Sequence, residues 1–154
     1  MIDVIEASTD EQYRAARSLI EEYVRFIGVD LEFQGFSKEL ADLAEMYGPP
    51  KGAMILLRHE SIFVGCVGLR PLPDGSGEMK RLYVQPAHQG KGLGRLLLES
   101  FITKARELGY KSVRLDTVPA LSHALALYRK YGFYEIGPYR HNPAPDAIFL
   151  ELKL

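Results

Sequence analysis

The chain is poor in the features that carry several common chemistries. It has one Cys and no Trp, so it cannot form an intrachain disulfide or a cysteine-based zinc site. It has no charge excess: 19 Lys and Arg stand against 20 Asp and Glu, a formal net charge of -1. That balance excludes broad attraction to nucleic acid or to an anionic membrane as the main mode of binding. No apolar run approaches the length of a membrane span. The first residues are acidic and lack the basic-then-apolar pattern of a signal peptide, so a cytoplasmic location is expected. His59, His88, His123 and His141 show no metal-ligand spacing, and no Cys or carboxylate cluster completes a set, so no metal is expected. Repeats, low-complexity tracts and linkers are also missing. What remains is 154 residues, 47% hydrophobic and 25% charged, read as one domain over 1–154 with enough length for a real core. A neutral total still leaves room for a local site that binds a small polyanion.

The pattern along the chain predicts a short strand at Ile2–Glu6 and a helix capped by Asp10 and running to about Ile27. A second helix, capped by Ser37, runs through about Tyr47 and is stopped by Gly48-Pro49-Pro50. Strands follow at 53–58 and 62–70, joined by a tight turn, and another at 78–84. A helix over 93–108 carries the stripe Leu93, Leu97, Leu98, Phe101, Ile102, Ala105 and Leu108 and stops at Gly109. A strand at Ser112–Thr117, a helix over 121–131 and a strand pair at 133–136 and 147–154 complete the order. That order is α/β of the α+β kind: one mixed, mostly antiparallel central sheet flanked by helices.

The strand at 78–84 contains a phase slip. Leu82 and Val84 share a face, but Met79 lies three residues from Leu82 and points the other way in a regular strand. Either an extra, bulged residue near Lys80 and Arg81 returns Met79 to the core side, or Met79 faces a second buried layer. A bulge would bend the strand from its neighbour and open a gap for a ligand.

The segment Gln89-Gly90-Lys91-Gly92-Leu93-Gly94-Arg95 follows this strand and opens a helix. Amides at a helix N-terminus point outward without partners, and the helix dipole favours negative charge there. Glycines remove the Cβ atoms that would keep an anion away, and Lys91 and Arg95 add positive charge. Together they make a cradle for a diphosphate. A Walker loop fails on spacing. A dinucleotide-binding turn keeps Gly90-x-Gly92 and an Asp116 at about the right distance, but its third glycine position is Arg95. A plain connecting turn is the remaining reading.

These residues resemble the GNAT superfamily of N-acetyltransferases. Its signature Gln/Arg-x-x-Gly-x-Gly/Ala is matched by Gln89-Gly90-Lys91-Gly92-Leu93-Gly94. The flanks agree: Glu78-Met79-Lys80-Arg81-Leu82-Tyr83-Val84 before it, and Leu127-Tyr128 through Gly132-Phe133 after it. The resemblance is specific over 78–133, and the element order is also the family's. It implies acetyl-CoA as co-substrate, held in a V-shaped gap between the bulged strand and the strand Ser112–Thr117. Leu82, Tyr83 and Val84 would pair with the pantetheine arm, and Gln89, Gly90, Lys91, Gly92, Leu93, Gly94 and Arg95 would hold the pyrophosphate. Ala124 and Tyr128 would line the gap from the last helix. The family often has an Asn three residues before that alanine; Leu121 stands here, which removes one expected hydrogen bond to the co-substrate.

Direct transfer needs a neutral amine, a polarised thioester carbonyl and a proton for the leaving thiolate. Glu78, at the start of the bulged strand, is the candidate base. A backbone N–H near Tyr83 and Val84 is the candidate polarising group. Tyr128 matches the family's helix tyrosine and is the candidate acid, since a phenol with pKa about 10 can protonate a thiolate whose parent thiol is near 8.5 when hydrogen-bonded to it. Cys66 reads as a small buried hydrophobe, with an acyl carrier as the alternative. Gly65 and Gly68 mark either a close backbone approach or strand irregularity. Arg70, Arg81 and Arg140 have no helix-pair partners, and any that faces the acceptor selects a carboxylate. Tyr47 and Tyr139 are further acceptor-side candidates by their position in the family's fold.

The expectation is an acetyl-CoA-dependent N-acetyltransferase acting on the primary amine of a small, amino-acid-like molecule, with no nucleic acid or membrane partner. A non-catalytic acyl-CoA-binding module and an acetyltransferase of protein N-termini or lysines are the alternatives. Enzymes of this resemblance often pair through C-terminal strands, which makes a homodimer an open expectation.

Overall fold

The computed structural model describes residues 1–28 and 35–154. Along them run β1 (Ile2–Glu6), α1 (Asp10–Ile27), α2 (Phe36–Ala41), α3 (Leu43–Met46), β2 (Ala53–His59), β3 (Ile62–Pro71), β4 (Gly77–Val84), α4 (Leu93–Glu107), β5 (Ser112–Thr117), α5 (Ser122–Lys130), β6 (Tyr134–Ile136) and β7 (Ile148–Lys153), with a 3-10 turn at Pro86–His88. The strands form one sheet in the order β1-β2-β3-β4-β5-β7-β6. Neighbours are antiparallel except β4 and β5, which run parallel. The expected mixed, mostly antiparallel sheet is the one that forms. Among the described residues, no helix is long and apolar enough to cross a membrane.

Both faces of the sheet are covered, so the central strands are nearly continuously apolar. Ile55, Leu57, Val67, Leu69 and Met79 face α4 and its stripe of Leu97, Leu98, Phe101 and Ala105. Met54, Leu56 and Cys66 face the other way, onto Ala16, Leu19 and Ile20 of α1 and onto Leu43 and Tyr47.

Two helix boundaries differ from the sequence expectation. Thr9, not Asp10, caps α1: its side chain accepts from the Gln12 N–H at 3.2 Å, while the Gln12 side chain accepts from the Thr9 N–H at 3.2 Å. This reciprocal pair satisfies two amides that the first turn leaves open. The single helix expected from Ser37 to Tyr47 is entered from Gly35 and breaks at Asp42, which leaves helical geometry at φ -125. The break re-aims the chain so that Glu39 on α2 and Leu43 and Tyr47 beyond it are all buried. Tyr47 lies against Gly68, where a Cβ would come within 2.6 Å of its ring. Gly68 is therefore a close-approach glycine.

The phase slip in β4 is a bulge. Cys66 pairs with Tyr83 and Gly68 with Lys80, so Arg81 and Leu82 together oppose Val67. Arg81 takes φ 62, a region costing a non-glycine residue about 1–3 kcal/mol unless its surroundings hold it there. The extra residue puts Met79, Leu82 and Val84 in the same core layer. On its other edge β4 meets β5 only at Gly77 with Val113 and at Glu78 with Arg114. Beyond that short parallel seam the two strands part, leaving a wedge between them.

Candidate active site

The wedge is approached from below by charged side chains of β4. A strand covered on both faces has no solvent for Glu78, Lys80 and Arg81, and all three are buried. Each has a partner in the fold. Arg81 donates from Nε to Glu39 Oε2 at 2.9 Å and from Nη2 to Glu39 Oε1 at 2.7 Å. Tyr47 donates to the same carboxylate at 2.9 Å, and the Arg81 guanidinium lies over the Phe36 ring. Burial alone would raise the Glu39 carboxyl, but Arg81 and Tyr47 hold it below the ordinary value. Removing either partner of such a buried pair costs about 3–5 kcal/mol. This pair fixes the Arg81 side chain, and so the bulge.

Glu78 is completely enclosed and accepts three hydrogen bonds: from Arg70 Nε at 2.9 Å, from the Tyr139 hydroxyl at 2.6 Å and from Arg140 Nη1 at 2.8 Å. Burial would again raise this carboxyl, but Lys80, Tyr139, Arg140 and Arg70 bring it below the ordinary value. Tyr139 packs edge-on against Phe149 and under the Arg114 guanidinium. Across the wedge, Lys80 Nζ lies 3.9 Å from Asp116 Oδ1 on β5, with both side chains almost wholly buried. The other Asp116 oxygen accepts from Asn142 at 3.0 Å. Burial pulls the Lys80 ammonium down to about 7, although Glu78 and Asp116 favour its charge. Beside this cluster opens a hollow of about 390 Å³ whose wall includes Arg140, Asn142, Pro145 and Phe149.

The structure thus brings Glu78, Arg70, Tyr139 and Arg140 together. Tyr47 and Arg81 stand behind them, joined by Glu39; Tyr47 is wholly enclosed and faces no open space. Sequence reasoning passed over Glu39, Lys80 and Asn142, and considered Asp116 only for a dinucleotide turn. The available signal was the run Glu78-Met79-Lys80-Arg81 itself, since three charges in a central strand must find buried partners.

The remaining candidates lie along the wedge and at its mouth. Leu82 is partly buried, Tyr83 and Val84 are buried, and Ala124 packs from α5. Tyr128 is buried, with its ring tilted against Phe133 at 5.7 Å. No hydrogen bond of its hydroxyl is seen among the described residues. Burial first, and Tyr23 second, hold that phenol well above its ordinary pKa. Cys66 is enclosed, donates to the Arg81 carbonyl at 3.3 Å and is pushed up to about 12 by burial, the state of an inert thiol.

At the mouth, Gln89 donates to the Val84 carbonyl at 2.9 Å and ties the loop to the strand end. Gly92 caps α4 at φ 79 without a side-chain hydrogen bond, so the first-turn amides stay open. A Cβ at Gly90, Gly92 or Gly94 would meet nothing within 4 Å. The cradle is open on the side where a diphosphate would lie, and it fits one. Arg95 sits on its rim, donating to the Tyr131 hydroxyl at 2.8 Å beside Glu99.

The chain matches the model of the Acetyltransferase (GNAT) family over residues 13–133. It is 41% identical over 140 residues to an uncharacterized N-acetyltransferase of Schizosaccharomyces pombe, across 90% of this chain and 86% of that protein. It is 36% identical over 142 residues to the IAA acetyltransferase of Azospirillum brasilense, across 91% of each. Among solved structures, a GNAT family acetyltransferase from Elizabethkingia anophelis with acetyl-CoA bound has the same fold, with a TM-score of 0.66 and 22% identity over 99% of this chain and 98% of that one. Since the family model takes in the bulged strand, the glycine cradle and Tyr128, the chain belongs to the GNAT family of acetyltransferases.

Proposed function

We propose that this acetyltransferase moves the acetyl group of acetyl-CoA directly to the primary amine of a small molecule that also carries a carboxylate. The observation that carries this reading is the meeting of Arg70, Tyr139 and Arg140 on one enclosed carboxylate, Glu78, beside the open hollow. Two guanidiniums at one acceptor-side position favour a bidentate anion. Glu78 holds them in place and gives them their spacing. Its three donors leave it little affinity for a proton, so it acts as an electrostatic anchor more readily than as the base.

When bound, acetyl-CoA supplies the thioester. The open cradle at Gly90, Gly92 and Gly94 supports binding of its diphosphate, and the Elizabethkingia anophelis acetyltransferase of the same fold has acetyl-CoA bound. Beyond the seam, the backbone of Leu82, Tyr83 and Val84 has no β5 partner among the described residues, and in this reading it holds the arm along the wedge. The acceptor nitrogen bonds to the acetyl carbon, the carbon–sulfur bond breaks, and sulfur leaves with its electron pair. Tyr128 gives that sulfur a proton and regains one from the newly acylated nitrogen.

The test is an amine panel incubated with acetyl-CoA while free thiol is followed. Acceptor-dependent release is expected, with carboxylate-bearing amines preferred over their amides or decarboxylated analogues. No release across the panel would overturn the small-molecule reading. Equal rates for acids and amides would remove the role given to Arg70 and Arg140.

A further inference from the structure

Resting on that reading of the site, we infer that Lys80 is the base that takes the proton from the acceptor's ammonium. The two strands of the wedge pair at Gly77 with Val113 and at Glu78 with Arg114, and then separate. Lys80 and Asp116 each lie two residues beyond the last paired position. Their side chains meet at 3.9 Å, so this ion pair spans the wedge at its apex. With its diphosphate in the glycine cradle at the mouth, a thioester lying between the strands would point its acyl group toward this end. Lys80 is also the neighbour of the bulge residue Arg81 and two residues from Glu78, the anchor of the acceptor-side arginines. An amine held by its carboxylate near Arg70 and Arg140 is thereby brought toward the Lys80 side of the cluster.

The surroundings suit a lysine that works in its neutral form. The charged groups acting on it include Glu78 and Arg81 on its own strand, Asp116 on β5, Arg140 from the loop after β6, and Glu39 on α2. Burial and the two arginines oppose its charge; the acids favour it. The outcome is a pKa of about 7, where a base at neutral pH is both available and strong enough. The candidate carboxylate, Glu78, is tuned the opposite way by its three donors.

The proton balance closes. An N–H bond of the acceptor ammonium breaks and leaves its electron pair on nitrogen. The Lys80 nitrogen forms the new N–H bond with its own pair, and Asp116, held by Asn142, stabilises the ammonium that results. Amide formation from an ammonium releases one proton overall, and Lys80 is its first carrier toward solvent.

Two measurements test this. In the first, the protein is labelled with 13C-lysine, titrated by NMR without acceptor, and compared with Lys80→Arg and Lys80→Met to assign the signal. The Lys80 resonance is expected to titrate near neutral pH, and titration near the ordinary lysine value of about 10.4 would overturn the inference. In the second, kcat/KM for an accepted amine is followed against pH. The acid limb of the wild-type profile is expected to vanish in Lys80→Arg, with turnover lowered about 100-fold and acetyl-CoA affinity within about twofold by calorimetry. An active wild type whose profile is kept in both Lys80 variants overturns the role of Lys80 alone. A wild type that transfers to no amine overturns the functional reading beneath it.

Discussion

Two buried phenols in this protein have opposite assignments. Tyr139 already donates to Glu78 at 2.6 Å, so its proton is committed to holding the anchor. Tyr128 has no such bond among the described residues, and burial keeps it protonated at any working pH. A hydroxyl with its proton uncommitted is the one able to give it to a leaving sulfur. Tyr128→Phe keeps the ring packed on Phe133 and removes only that proton. Turnover is expected to fall about 100-fold and acetyl-CoA affinity much less, as read by steady-state kinetics beside calorimetry; unchanged turnover would end the acid role. Tyr128 was legible because it sits in a local pattern, Leu127-Tyr128 through Gly132-Phe133. Lys80 was not, because its chemistry comes first from burial, which the fold imposes, and, beyond its strand neighbours Glu78 and Arg81, from Asp116 and Arg140, residues far away in the chain. Arg81 misled in part: the missing helix-pair partner pointed to an acceptor, but the partner is Glu39, brought from 42 residues away.

At the scale of elements, the bulge in β4 shows how far pattern reasoning reaches. A three-residue step between Met79 and Leu82 reveals that strict alternation fails, since side chains in a strand repeat every two residues. It does not choose between a bulge and a second buried layer. That choice lies with Glu39 and Tyr47, which secure the Arg81 side chain from the opposite face. The division at Asp42 was hidden for the same reason: local propensity favours a continuous helix, and the break follows from packing Tyr47 against Gly68. The cradle is the opposite case, since its glycines, its cations and the helix it opens are contiguous. Arg95 on its first turn faces the mouth with its side chain exposed. Arg95→Glu places a negative charge where the helix N-terminus and Lys91 favour an anion. Acetyl-CoA affinity is expected to fall severalfold, and more at low salt than at high salt, by calorimetry at two ionic strengths. Equal affinity would count against the cradle.

For the whole molecule, the buried charges set how stability depends on pH. Glu39 and Glu78 are held below the ordinary carboxyl value. Their contribution is present above the unfolded carboxyl pKa, near 4.5, and is lost as pH falls through their folded values. Lys80 works in another window. Its folded pKa of about 7 lies below the unfolded value of about 10.4, so the unfolded chain binds the extra proton between them and stability rises with pH there. From about 9 the unfolded Cys66 thiol ionises while the folded one is held protonated to about 12, which cancels this rise, and above about 10 the sign reverses as unfolded tyrosines ionise while Tyr47, Tyr128 and Tyr139 are held protonated. Thermal unfolding followed against pH is expected to give a maximum on the alkaline side of neutrality. Lys80→Met is expected to flatten the rise between about pH 7 and 9, and a wild-type maximum below pH 7 would contradict this balance.

The two-pair seam between β4 and β5 gives the sheet an unusual division of labour. On one side lie β1 to β4, stitched by long antiparallel ladders; on the other lie β5, β7 and β6. In backbone terms these are two leaves stapled at one corner. On the proposed binding mode, an extended ligand backbone laid between them would take the place of a missing strand and become a structural part of the sheet. The side chains around the acceptor, Arg70 on one leaf and Tyr139 and Arg140 beyond β6, can then diverge while the glycine cradle after β4 stays as it is, so the acceptor can change without rebuilding the means of holding the donor.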